Sequence, residues 1–430
     1  MNTTTTAPLR SRRVVVTGLG AVTPIGLDVP SFWDAAIRGV SGAAPITRFD
    51  ATTFATTFAC ELKGFDPLTA MDRKLARRLD RFAQYAMAAA NEAIAHAGID
   101  TNTLSDAERA LMGVMIGSGQ GGMQTFQTQA ESHLTDGHHR ISPFFVPMII
   151  PDIAGAMVAM QHGLRGPNHC VVSACATGND NLMSALDSIR AGRADVMVVG
   201  GSEAAITQLG LGGFGSARAL STRNDAPTLA SRPCDTARDG FVLGEGAAVL
   251  VVELAEHAEA RGATILAELA GVGAACDAYH LTAPHPEGLG ARLAMEAALR
   301  DAGVALDTVD VINLHGTSTP LGDAAECRAV RAVFGARTDA MMTTSTKGMT
   351  GHMLGAAGAA EAVLSVLSMV HGIVPPTINV DEQDPECDVP LAANHAIRRT
   401  VRVAMSNAFG FGGHNTSVIF TTAGLRAAVS

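Results

Sequence analysis

The sequence predicts an α/β fold built from two similar halves, and three observations predict it. Around Cys175, an apolar run at 171–174 reads as the end of a buried strand, Leu182, Met183, Leu186 and Ile189 follow at helical spacing, and 194–201 (ADVMVVGG) reads as a second buried strand. Strand, helix and strand in that order imply a parallel crossover unit. The same order returns later: 343–347 leads through a glycine-broken loop into an apolar helix at 356–370, closed by Gly372 as the earlier helix is closed by Gly192. No Pro- or Ser-rich linker parts the halves, placed at 11–253 and 262–422, so one body is expected rather than independent domains.

The bulk of the chain agrees. With 430 residues, 47% of them hydrophobic, a large core or two fused ones can form, and 45 glycines among many alanines point to close packing and tight turns. A net charge of -10 argues against nucleic-acid partners and shows no sign of a membrane-surface patch. The seven cysteines are scattered, odd in number and without CxxC pairs, which suits a reducing cytosol better than a disulfide framework, and no metal site is expected. The N-terminal MNTTTTAPLRSRR is followed by an apolar run far too short for a signal peptide, and no membrane-spanning stretch is apparent, so a cytoplasmic protein is the expectation.

Taken in order, 13–20 reads as a buried strand ending in a glycine turn. Gly18, Gly20 and Gly26 do not match the dinucleotide fingerprint, because five residues including Pro24 separate the second and third. A short helix is expected at 32–37 and a long one within 70–97, with Leu75, Leu79, Phe82, Ala86 and Ala90 on one face and Arg73, Lys74, Arg77, Arg78 and Arg81 at its start. Residues 112–117 form a strand leading into Gly117-Ser118-Gly119-Gln120-Gly121-Gly122, a loop needing positive φ or close backbone approach. Two strand-like runs lie in 241–253 and a helix follows at 254–261. The second half begins with a strand at 265–272, an amphipathic helix at 290–302 and a strand at 309–313.

Chemistry concentrates where these elements end. Cys175 stands at a turn into a helix, where free N–H groups and the helix dipole favour a thiolate nucleophile. His315 opens the hydroxyl-rich turn Gly316-Thr317-Ser318-Thr319, and His352 closes the loop Lys347-Gly348-Met349-Thr350-Gly351. Sites in α/β proteins gather beyond the carboxyl ends of strands, so one sulfur and two imidazoles are expected to converge. A Cys with two His differs from the Cys–His–Asn arrangement of papain-like proteases. Two imidazoles can instead donate N–H bonds to a developing enolate oxygen. Lys347 and Glu361 form either a charge-setting pair for that site or a structural ion pair.

Several motifs then agree in order: SACATG around Cys175, HGTSTPLGD from His315, STKGMTGHMLGAAG from Ser345 and SNAFGFGGHN from Ser406. So do ISPFFVP from Ile141, GLRGP from Gly163, GGFGSARALSTRND from Gly212 and RDGFVLGEGA from Arg238. From about Arg13 to Phe420 the chain resembles the β-ketoacyl-acyl carrier protein (ACP) synthases, most of all their type II members. The resemblance implies a thiolase-like fold, with two related halves in five αβαβα layers, and a homodimer with acyl pockets near its interface. It implies that Cys175 takes an acyl group from the phosphopantetheine arm of an acyl carrier protein, with no tightly bound cofactor. The backbone N–H groups of Cys175 and Phe411 would then form the oxyanion hole, and His315 and His352 would stabilise the enolate made as malonyl-ACP loses CO2. Lys347 and Glu361 would support them, and Thr317 and Thr319 would bind the pantetheine. Phe411, with Phe409 and Gly412 in its glycine-flanked loop, would gate the acyl pocket.

Because carrier proteins are acidic, Lys74, Arg77, Arg78, Arg140 and Arg218 are expected to form a docking patch. Gln120 departs from the family, which usually carries an apolar residue there to line the inner acyl pocket. It either faces a dimer partner or makes the pocket shorter and more polar. That leaves open a ketosynthase of a type II polyketide or aryl-polyene pathway, paired with a chain-length-factor homologue. His414, where Thr is common, is a variant within the family. A silent chain-length factor typically lacks the nucleophile present here, and a degradative thiolase has a C-terminal cysteine that this chain lacks.

Overall fold

Apolar runs of six to nine residues become strands in the computed structural model, which describes residues 12–425. The polar segment argued above to carry no signal sequence lies, up to residue 11, outside the described residues. The strands are β1 (Val14–Val22), β2 (Met112–Gly117), β3 (Val196–Glu203), β4 (Gly246–Leu254), β5 (Ala267–Cys276), β6 (Val311–Asn313), β7 (Met342–Thr344), β8 (Val403–Gly410) and β9 (His414–Thr421). Their order is β2-β3-β4-β1-β5-β9-β8-β6-β7. Only two residue pairs, Val15 with Glu268 and Val16 with Ala267, join β1 to β5, so the ladder is two mixed half-sheets touching at a narrow seam.

The helices that matter for the site are α1 (Val29–Ile37), α2 (Arg81–His96), α3 (Ile153–His162), α4 (Thr177–Arg190), α5 (Leu289–Ala302), α6 (Pro320–Phe334) and α7 (Ala357–His371). Helices α4 and α7 lie between the half-sheets, in a core shared with β1, β3, β4, β5 and β9. On the outer faces, α2 and α3 cover the first half-sheet and α5 and α6 the second. Five layers result, in the order αβαβα. Residues Leu354–His371 are long and apolar enough to cross a membrane, but 89% of them are buried inside the fold, where α7 serves as a core helix.

Small residues permit this burial. A Cβ at Gly178 of α4 would come within 2.6 Å of the Ala359 nitrogen, and one at Gly358 of α7 within 2.7 Å of Asn179 Oδ1. The two central helices therefore cross in backbone contact at their N-terminal ends, beside Cys175 and His352.

Three expectations need correction. Residues 171–174 form no strand: Val172 is half exposed, and the pairing of the preceding chain with β2 is limited to an isolated bridge between Val114 and Asn168 and the backbone bonds around it, Gly166 N–H to Met112 (3.0 Å) and Val114 N–H to Pro167 (2.9 Å). The parallel crossover is real, but it joins β2 to β3, with α4 in the connection. The basic helix is broken, because Asp80 is extended (φ -69°, ψ 160°) and its carboxylate accepts from both the N–H (2.8 Å) and hydroxyl (2.7 Å) of Thr125. Arg73–Ala76 is thus a single turn and α2 begins only at Arg81. Of the two runs in 241–253, only the second is a strand, while Phe241 and Leu243 make isolated bridges to Leu220 and His352.

Candidate active site

Cys175 occupies a single 3-10 turn, Ala174–Ala176, that runs straight into α4. His352 stands ahead of α7, held by backbone bonds on both sides: its N–H donates to Val242 (2.7 Å), and its carbonyl accepts from Gly244 (2.9 Å). Its Nε2 lies 3.0 Å from Cys175 Sγ. The His315 ring stands 5.3 Å from that of His352, nearly perpendicular to it. The two strand-end loops and the helix turn therefore do converge.

Burial sets the charges. Both imidazoles are pushed well below their usual pKa by burial, with the Lys347 ammonium adding to the effect, so both rings are neutral. Each can donate one N–H, and Nδ1 of each is buried without a partner among the described residues. Burial also pushes the Cys175 thiol up to about 12, opposed by the Lys347 charge and by a hydrogen bond from the Phe411 N–H. The dipole of α4 does not make a resting thiolate here. Lys347 and Glu361 form a short, fully buried ion pair, and burial nonetheless raises the Glu361 carboxyl to about 7.

Cys175, His315 and His352 share a cavity of about 120 Å³ with Thr317, Thr319, Phe409 and Phe411 among its walls. Thr317 and Thr319 are 3.0 Å apart through their hydroxyls. Phe411 is partly exposed at the tip of the β8–β9 hairpin, against Phe214 (6.4 Å), and is followed by Gly412 (φ +89°) and Gly413 (φ +77°). Gln120 is not among the walls. Its N–H faces Glu203 (3.3 Å), and its side-chain oxygen is buried without a partner among the described residues. Lys74, Arg77, Arg78, Arg140 and Arg218 are all exposed, and Arg78 lies over the Phe144 ring at 4.5 Å.

Two carboxylates that motif reading did not single out clamp the site. Glu326 of α6 accepts from the N–H groups of His315 (2.9 Å) and Gly316 (2.8 Å) and from Asn407 (3.1 Å). Glu203, at the end of β3, accepts from Gly119 (2.9 Å), Gly355 (3.0 Å) and the Ser118 hydroxyl (2.7 Å), tying the 117–122 loop to the turn after His352. Its carboxyl is raised to about 7 by burial. The available signal was a lone acid closing an apolar strand, and another on the buried face of a helix.

The chain is similar to known proteins along most of its length. Residues 11–258 match the family model described as "Beta-ketoacyl synthase, N-terminal domain", and residues 266–381 match its "C-terminal domain" counterpart. The chain is 49% identical over 413 residues to a 3-oxoacyl-[acyl-carrier-protein] synthase 2 of Coxiella burnetii, covering 96% of this chain and 99% of the relative. Among solved structures, the ishigamide ketosynthase/chain length factor superposes with TM-score 0.89 at 35% identity, covering 96% of this chain and all of that one. A type II PKS ketosynthase in complex with its acyl-carrier protein and bound to the hexaketide superposes with TM-score 0.85 at 31% identity, over 96% and 99% of the two chains.

Proposed function

Because the chain belongs to the β-ketoacyl synthase family, we propose that it is a 3-oxoacyl-ACP synthase of the type II kind, an acyltransferase elongating fatty acids by decarboxylative Claisen condensation. One observation carries the reading: a buried thiol 3.0 Å from one neutral imidazole, with a second imidazole ring 5.3 Å further on, in a single cavity.

Cys175 Sγ attacks the thioester carbonyl of acyl-ACP as its proton passes to His352 Nε2, and the phosphopantetheine thiol leaves. The N–H groups of Cys175 and Phe411 hold the oxyanion. Malonyl-ACP then loses CO2, and the N–H of His315 and, in its Nε2–H tautomer, that of His352 hold the enolate oxygen. The enolate carbon attacks the acyl-Cys carbonyl, Sγ departs as a thiolate that takes a proton from solvent to restore the thiol, and 3-oxoacyl-ACP results. Each neutral ring keeps one N–H to donate as the enolate charge develops. Burial keeps them neutral, and Lys347, paired with Glu361, adds to the effect. The halves 11–253 and 262–422 act as one unit, the first supplying the sulfur and the second both histidines.

Phe411 stands in the wall of this cavity with Gly412 and Gly413 behind it, so it gates acylation by swinging on those glycines, with Phe409 lining the opening. Thr317 and Thr319 bind the pantetheine arm, which enters as part of the substrate, and no tightly bound cofactor takes part. The working form is a cytoplasmic homodimer. The likeness to the ishigamide ketosynthase/chain length factor favours a second reading, a polyketide or aryl-polyene ketosynthase paired with a chain-length-factor homologue. The higher identity to the synthase 2 relative keeps fatty-acid elongation first.

The test incubates the protein with acyl-ACPs of graded length and malonyl-ACP, following intact mass and products. An acyl adduct absent from Cys175→Ala, with extension by two carbons, is expected. Absence of any adduct at Cys175 would overturn the assignment. Condensation only after a second, chain-length-factor protein is added would favour the second reading.

A further inference from the structure

Three of the cysteines that look scattered in the sequence meet in the interior, outside the cavity of Cys175. Cys234 comes from the loop after Ser231, Cys327 from α6 and Cys387 from the loop before β8. Their Sγ atoms lie within 4.8 Å of one another, and all three residues are buried. All three are free thiols. A disulfide would need a sulfur–sulfur distance of about 2.05 Å, whereas a tetrahedral zinc site with bonds of about 2.3 Å separates its sulfurs by about 3.8 Å.

The sulfurs are also held in place. The Cys234 N–H donates to Asp323 Oδ2 (2.9 Å), the Asp384 N–H to the Cys234 carbonyl (2.8 Å), and the Cys387 N–H to the Asp384 carbonyl (2.8 Å). Cys234 sits at φ +63°, a left-handed conformation that a residue with a side chain adopts only where its surroundings impose it. Arg238 stands alongside, 2.6 Å from Asp384 and 3.8 Å from Asp323. Cys327 also lines a surface cleft, with Glu287, Glu386 and Asp388 balanced by Arg292, Arg328 and Arg331 in its walls, which gives solvent a path towards the trio.

We propose that Cys234, Cys327 and Cys387 bind one zinc ion as three thiolates, with an oxygen donor in the fourth position. A water molecule is the donor proposed there, because both oxygens of the nearby Asp323 carboxylate already accept from the N–H groups of Cys234 (2.9 Å) and Ser318 (3.1 Å). With a neutral water in the fourth position, three thiolates and a dication leave one negative charge, and the Arg238 guanidinium stands nearby. Binding exchanges three thiol protons for metal–sulfur bonds, and the protons pass to solvent. No oxidant is needed. The ion pins α6, whose Glu326 holds the backbone of His315 and Gly316, so it is a structural brace beneath the histidine turn rather than a catalytic metal.

The test titrates Co2+ into the reduced full-length protein and into Cys387→Ser, Cys175→Ser and Cys60→Ser. Thiolate-to-cobalt charge-transfer absorption saturating at one ion per chain, displaced by one equivalent of Zn2+, is expected in the wild type, Cys175→Ser and Cys60→Ser, and lost in Cys387→Ser. Circular dichroism checks that Cys387→Ser is folded. If it is not, zinc content of the wild type after gel filtration and the mass of its tryptic peptides decide. One zinc per chain supports the site, and a disulfide among the three cysteines with no metal overturns it. A cobalt signal that survives Cys387→Ser or vanishes with Cys175→Ser overturns it as well.

Discussion

Cys175, the proposed nucleophile, is governed by two opposed influences on one sulfur. Position at the start of α4 favours a thiolate, whereas burial disfavours it and wins, leaving the thiol near 12. Activation then rests on contact, through His352 Nε2 at 3.0 Å, rather than on a standing negative charge. A consequence follows for pH. Below its pKa, a thiol's thiolate fraction rises tenfold with each unit, so alkylation of Cys175 by iodoacetamide should accelerate about tenfold per pH unit from about pH 6 to about pH 9 without levelling off. A plateau near neutrality, read from the rate of adduct formation at Cys175, would mean that the helix and Lys347 outweigh burial after all.

Between elements, backbone contact and buried charge do the joining. Helices α4 and α7 touch through Gly178 and Gly358, so Gly178→Ala forces a methyl against the Ala359 backbone. Overpacking of this kind should cost about 1–3 kcal/mol in denaturant unfolding and lower the acylation rate by shifting Cys175 relative to His352. Unchanged stability would show that the helices slip apart freely. A different joint lies at the end of β4, where Glu253 is buried with Arg261, His257 and Thr17 around it. Burial works upward on this carboxyl, but Arg261, His257 and Thr17 together hold it down at about 2. A depressed acid stabilises the fold above its ordinary pKa and loses that contribution as pH falls from about 4.5 towards 2, some 3 kcal/mol in all. Glu253→Gln should therefore be less stable near neutrality and flatter in its acid limb. Parallel melting curves across that window would refute the linkage. The runs most legible in the sequence, β2, β3 and α7, are those whose apolar pattern alone buries them. What escaped reading depends on distant partners: Asp80 leaves the helix for Thr125, and Glu203 and Glu326 answer N–H groups from other segments. Cys175, His315 and His352 were legible because small-residue turns bracket each one. The cysteine trio was not, because no short spacing relates residues on two loops and a helix.

For the molecule as a whole, a net charge of -10 makes any basic surface conspicuous to an acidic partner. Arg77 and Arg78 follow the short Arg73–Ala76 turn, and Arg78 reaches the Phe144 ring in the segment after Arg140. The broken helix thus presents these cations on an exposed bend rather than along one regular face. If an acidic carrier protein docks on these cations, they act on encounter and orientation, not on the bonds made at Cys175. Charge reversal should accordingly separate substrates by size. Arg77→Glu should raise KM for acyl-ACP about tenfold and weaken its dependence on salt, with turnover of a small acyl thioester unchanged. Arg78→Glu also removes the contact with Phe144, so Arg78→Gln alongside it tells charge from packing: a neutral residue there should give an intermediate KM. Equal losses on acyl-ACP and on the small thioester would place these arginines in the fold's stability and leave the docking surface elsewhere.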